Sequence, residues 1–265
     1  MSAVAVHHVA DGPADAPVLL LSGSLGSTLA MWEPQLRALT DRFRVVRYDH
    51  RGHGGSPVPP GPYDIADLAS DALALLDRLG VQRAHVCGLS LGGMVGQWLA
   101  IHAPGRVDRL AVLCSSARLG PESGYAERAA LVRAEGTRAI AEAVVGRWLT
   151  PAYATAHPEV VGELRAMVAA TPPEGYAACC EALAHMDLEP GLGRVRAPTL
   201  VVAGAQDPSL PAAHGEAIAA RIPGARFALL DPAAHLASLE RAEAVNELLL
   251  DHLAHPTPPP PQEAR

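Results

Sequence analysis

Cys87-Gly-Leu-Ser-Leu-Gly-Gly-Met94 is the stretch whose reading decides the architecture. It is a G-x-S-x-G run, preceded by the strand-like Ala84-His-Val-Cys87 and followed by helical spacing from residue 94 to 103. A serine on so sharp a strand-to-helix turn is held in strained backbone geometry with its hydroxyl projecting outward. Gly88 and Gly92 then stand where a Cβ would strike the neighbouring strand and helix. The pattern predicts Ser90 as a nucleophile at the carboxyl end of a buried strand. A tight turn with an inert serine is the plainer alternative, and the flanking strand and helix weigh against it.

The rest of the chain repeats that unit. Short aliphatic runs at residues 17–21, 43–48, 110–114, 200–203 and 226–230 are mostly followed by Gly, Ser or Asp and separated by helical stretches, as in a parallel sheet with crossover helices. Over residues 66–79, Leu68, Ala72, Leu75, Leu76 and Leu79 form one stripe with the charged residues off it. From about residue 121 to 193 no strand candidate occurs. The expected organisation is an α/β core at 1–120 and 194–254, a helical cap at 121–193 over the carboxyl ends of the strands, and a Pro-rich flexible tail at 255–265.

Composition narrows the function. Of 265 residues 49% are hydrophobic, enough for one substantial core, and no apolar run is long enough for a membrane span. All 21 basic residues are arginine, which removes lysine Schiff bases and the P-loop lysine. A net charge of -7 argues against a nucleic-acid partner. Cys87, Cys114, Cys179 and Cys180 show no zinc or disulfide spacing, and the first residues lack a secretory pattern, so reduced thiols and a cytoplasmic location are expected.

A serine nucleophile needs a base and an orienting acid, here in the order Ser, acid, His at strand ends late in the chain. Asp207 follows the run ending at 203 and His235 follows the run ending at 230, 28 residues apart, about one αβ unit. Asp231 is the rival acid, but it shares the histidine's own loop. The oxyanion hole is expected from the backbone N–H of Leu91 and, in the Gly/Ser loop after the first predicted strand, that of Ser24.

With those residues in place, the chain resembles the 3-oxoadipate enol-lactonases of the α/β-hydrolase superfamily from about residue 3 to 254. The resemblance rests on Ser22-Gly-Ser-Leu-Gly-Ser-Thr-Leu-Ala-Met-Trp-Glu-Pro-Gln35, Arg47-Tyr-Asp-His-Arg-Gly-His-Gly54, the nucleophile run through Trp98, Arg147-Trp-Leu-Thr-Pro151 and Ala170-Thr-Pro-Pro-Glu-Gly-Tyr176. Gly23 departs from it, standing where the family often has asparagine. The resemblance implies an α/β-hydrolase fold and cofactor-free, metal-free opening of 3-oxoadipate enol-lactone through an acyl-enzyme, in the β-ketoadipate route of aromatic degradation. It also implies a functional link to a carboxymuconolactone decarboxylase, a domain to which some relatives are joined. The tail after residue 255 has the composition of a stiff linker. The lactone carries a carboxylate, so a cation is expected in the site: Arg147, with Trp148 and Leu25 as neighbouring substrate-binding residues. Arg51 reads as loop-shaping, and Gln97 and Trp98 as packing. The alternatives are a carboxylesterase, a cofactor-free perhydrolase, a C–C bond hydrolase, and a non-catalytic receptor that keeps the fold.

Overall fold

The computed structural model describes residues 2–120 and 123–254. The tail at 255–265 lies outside the described residues. Seven strands form one sheet: β1 (His8–Asp11), β2 (Val18–Ser22), β3 (Arg44–Tyr48), β4 (Ala84–Leu89), β5 (Val107–Leu113), β6 (Thr199–Gly204) and β7 (Arg226–Leu230). Their spatial order is β1-β3-β2-β4-β5-β6-β7, and every pairing is parallel except that of β1 with β3. β4 and β6 are buried along their whole length, as strands covered by helices on both faces must be.

The helices are α1 (Glu33–Leu39), α2 (Ile65–Arg78), α3 (Leu91–His102), α4 (Tyr125–Glu135), α5 (Arg138–Val145), α6 (Pro151–Ala156), α7 (Pro158–Ala170), α8 (Pro173–His185), α9 (Ala212–Arg221), α10 (Ala237–Glu240) and α11 (Ala242–Ala254). α2 begins in a reciprocal capping box between Asp64 and Asp67 and buries Leu68, Ala72, Leu75 and Leu76 of the expected stripe; Leu79 is its half-buried C-cap, and Asp67 and Asp71, expected off the stripe, are buried as well. α3 has almost no exposed face because it is wedged between α2 and strands β4 and β5. The stretch between β5 and β6 holds α4 to α8, with α4 packed on α8 and α5 on α7.

β4 runs on through Leu89, two residues past its expected run, and β5 starts at Val107, three residues before its own. Three further details differ from expectation. β1 is an additional antiparallel edge strand whose half-exposed residues carry no alternation, and Gly12, at φ +89°, turns the chain from it toward β2. α3 starts at Leu91, directly after the serine, three residues earlier than expected. β2 runs on through Ser22, one residue past its apolar run, and this shifts the register of the loop that follows.

Candidate active site

Ser90 sits between β4 and α3 with φ 55° and ψ -115°, a sparsely populated region that costs about 1–3 kcal/mol for a residue with a side chain. The surroundings enforce it. The Ser90 N–H donates to the Leu113 carbonyl (2.9 Å), and its own carbonyl accepts from the Ser115 hydroxyl (2.8 Å). A Cβ on Gly88 would strike the Gly92 carbonyl, and one on Gly92 would strike that of Ser22. Both glycines are therefore required by close approach.

Asp207 and His235 follow β6 and β7 and are both buried. His235 Nδ1 lies 2.7 Å from Asp207 Oδ2, so this nitrogen carries the hydrogen and Nε2 is left as an acceptor. The other oxygen of Asp207 accepts from the N–H groups of Ser209 (2.8 Å) and Leu210 (3.0 Å), which fixes the carboxylate. The two loops are tied to each other by the Gln206 N–H, which donates to the Ala233 carbonyl (2.9 Å). Asp231 is exposed and meets Gln206, not the imidazole.

Ser90 and His235 line one cavity of about 20 Å³, together with Ser24, Leu25, Arg147 and Trp148. All of the expected site residues but Asp207, which lies behind His235, and Leu91, which is buried next to Ser90, are on its wall. The loop donor needs correction, because the Ser24 N–H is turned onto Met31 Sδ (3.2 Å). The Gly26 N–H donates to His53 Nε2 (2.9 Å). Among the described residues the N–H groups of Leu25 and Leu91 have no acceptor. The one-residue extension of β2 accounts for the shift: Leu25 stands three residues past the strand end actually formed, as Ser24 does from the end expected.

Arg128 is a wall residue for which the sequence carried no signal; it lies on α4 with its guanidinium 4.8 Å from the centre of the Tyr125 ring. It and Arg147 also line an adjoining chamber of about 220 Å³, bounded further out by Ser123, Leu210 and His214. Burial, and next the charge of Arg128, hold the Arg147 guanidinium below its ordinary pKa. Neither arginine has a carboxylate partner among the described residues. Tyr125 and Tyr176, both with pKa raised by burial, close the same wall.

A strained serine after the central strand, beside a histidine bonded to a buried aspartate, on a mostly parallel seven-stranded sheet, defines a class. The chain belongs to the α/β-hydrolase fold family, whose model matches residues 16–242. Within that family it is similar to enol-lactonases. It is 42% identical over 243 residues to 3-oxoadipate enol-lactonase 2 of Acinetobacter baylyi, covering 92% of this chain and 91% of that one. The crystal structure of the enol-lactonase from Burkholderia xenovorans superimposes with a TM-score of 0.92 at 42% identity, covering 94% and 96% of the two chains. A Stutzerimonas stutzeri protein named only provisionally, as the carbamate hydrolase RutD, is 36% identical, with 91% and 92% covered.

Proposed function

We propose that the protein hydrolyses 3-oxoadipate enol-lactone to 3-oxoadipate, a step of the β-ketoadipate route, with Ser90 as nucleophile, His235 as proton carrier and Asp207 as its orienting acid. The observation that supports this reading is the pair of guanidiniums, Arg128 and Arg147, that share the cavity of Ser90 and His235 and have no carboxylate in salt-bridge contact among the described residues. Two partly buried cations with no carboxylate partner among the described residues favour a ligand that brings negative charge. A lactone with a carboxylate arm does so. A neutral ester does not.

His235 Nε2 takes the Ser90 proton as Oγ adds to the lactone carbonyl. The oxyanion is received by the N–H groups of Leu91 and Leu25, neither of which has an acceptor among the described residues. At that point the ligand carries two negative charges, one on its carboxylate and one on the oxyanion, facing two arginines. Collapse breaks the ring C–O bond. The departing enolate is a weaker base than an alkoxide, so little is asked of the imidazolium as acid. The enol ketonises, and water deprotonated by His235 releases Ser90 and leaves the dicarboxylate. The reaction that supplies the substrate is a decarboxylation of a carboxymuconolactone, which is the basis of the expected link to that enzyme.

The test is loss of enol-lactone absorbance in substrate generated freshly by a carboxymuconolactone decarboxylase, with Ser90→Ala as control. Rapid loss that disappears in Ser90→Ala is expected. No acceleration over spontaneous hydrolysis, with p-nitrophenyl acetate still cleaved, overturns the lactone and leaves a general serine esterase.

A further inference from the structure

Glu240 lies at the end of α10, five residues after His235, and its carboxylate is engaged on both oxygens. Oε1 accepts from the N–H and the hydroxyl of Thr150, at 2.8 Å and 2.7 Å, and Oε2 accepts from the Ala234 N–H at 2.6 Å. On the other side of the imidazole, the Leu236 N–H donates to the Trp148 carbonyl at 2.8 Å. Both neighbours of His235 are thus bonded to the segment 148–150, one directly and one through Glu240. That segment directly follows Arg147, and Arg147 and Trp148 line the cavity of Ser90.

Three hydrogen bonds to one carboxylate are charge-assisted, and each is stronger than a bond between neutral groups. The geometry points to Glu240 as a positioning residue that couples the segment bearing Arg147 and Trp148 to the catalytic histidine, so that ligand carboxylate and proton carrier are set at one fixed separation. This inference rests on the proposed triad. Glu240 touches neither substrate nor reacting atoms. It acts by holding the Ala234 backbone, and with it the reach of Nε2 toward Ser90 Oγ, where a misplacement of about 1 Å costs on the order of 100-fold in rate.

The experiment follows Ser90 labelling by a fluorophosphonate, which reads the His235-activated serine whatever the natural substrate, alongside kcat and KM for the enol-lactone. In Glu240→Gln an amide NH2 must face one of the three donors. Labelling rate and kcat are expected to fall together by about 10- to 100-fold, with circular dichroism and melting temperature showing a folded protein. Thr150→Val removes one donor and is expected to raise KM more than it lowers kcat, with Thr150→Ser restoring both. Glu243→Gln, exposed on the neighbouring turn of α11, is the control expected to change nothing. Glu240→Gln labelled as fast as the wild type, with kcat retained, overturns the inference while the triad stands. Failure of the wild-type protein to be labelled sinks the triad itself, and the inference with it.

Discussion

Two arginine sites, one at Arg51 just after β3 and one at Arg128 and Arg147 in the helical stretch between β5 and β6, are built in opposite ways. Arg51 is fully buried and bidentate to Asp71, with Nε to Oδ2 at 2.6 Å and Nη2 to Oδ1 at 2.7 Å, under the Tyr63 ring. Arg128 and Arg147 are half-buried, face a cavity and lack any such partner among the described residues. Residue type is the same, and composition does not separate them. What separates them is a carboxylate partner: Asp71 answers the charge of Arg51 inside the fold, whereas no described carboxylate answers those of Arg128 and Arg147, which the proposed function assigns to the ligand. The sharpest way to break the contrast is Asp71→Asn, which keeps shape and strands the Arg51 charge. It is expected to cost about 3–5 kcal/mol of stability, read as a lower urea midpoint, with specific activity of the folded fraction retained. Lost activity without lost stability would move Arg51 into the site.

Arg147→Met tests the other half. Removing a charge-assisted contact to a ligand carboxylate is expected to cost about 2–3 kcal/mol, or roughly 30- to 150-fold in KM for the enol-lactone. Discrimination between that lactone and p-nitrophenyl acetate should collapse in the same variant. An unchanged KM would mean that the carboxylate is held by Arg128 alone or lies elsewhere.

The same contrast separates what the sequence shows from what only packing decides. The parallel strands are legible because most are short aliphatic runs closed by a small or acidic residue, and Asp207 and His235, which the structure joins at 2.7 Å, each follow one of them. β1 escaped because it is half-exposed and lies on the edge, where nothing demands alternation. Arg128 escaped for a different reason. α4 carries four charged residues, Glu127, Arg128, Arg133 and Glu135, and packing of the helix on α8, not their spacing, brings Arg128 over the cavity. The Ser24 N–H is turned onto Met31, and the proposed loop donor moves one position to Leu25, because the length of β2 is set by its pairing with β3 and β4, which carries Ser22 into the sheet.

Two buried histidines, His50 and His53, are bonded to the loop that follows β2. His50 Nε2 donates to the Gly23 carbonyl (3.1 Å), and His53 accepts from the Gly26 N–H. Burial pushes their pKa values down, to about 3 and about 4. Above the ordinary value of about 6.5 neither the folded nor the unfolded chain holds the proton. Below it the unfolded chain takes up protons that the folded one refuses, so stability is lost as pH falls from there toward the folded values. Each histidine contributes a slope of about 1 kcal/mol per pH unit in that window. His53→Gln keeps an acceptor for Gly26, and its urea midpoint between pH 7 and pH 4.5 should fall less steeply than that of the wild type. Parallel curves would show that His53 is protonated in the fold.

The smallest effect lies in the loop that follows β2, at its contact with Met31. Its sulfur accepts from the Ser24 N–H at 3.2 Å and from the Ser27 hydroxyl at 3.0 Å, and thereby turns the Ser24 amide away from the cavity. Met31→Leu conserves volume and deletes only the acceptor. A thioether is a weak acceptor, so about 0.5–1 kcal/mol is at stake, and kcat is expected to fall by about two- to fivefold as the loop loosens around Leu25. A rise in kcat would have the opposite meaning. It would show that the freed Ser24 amide had joined Leu25 and Leu91 at the oxyanion, and that the group held back by Met31 is a latent part of the site.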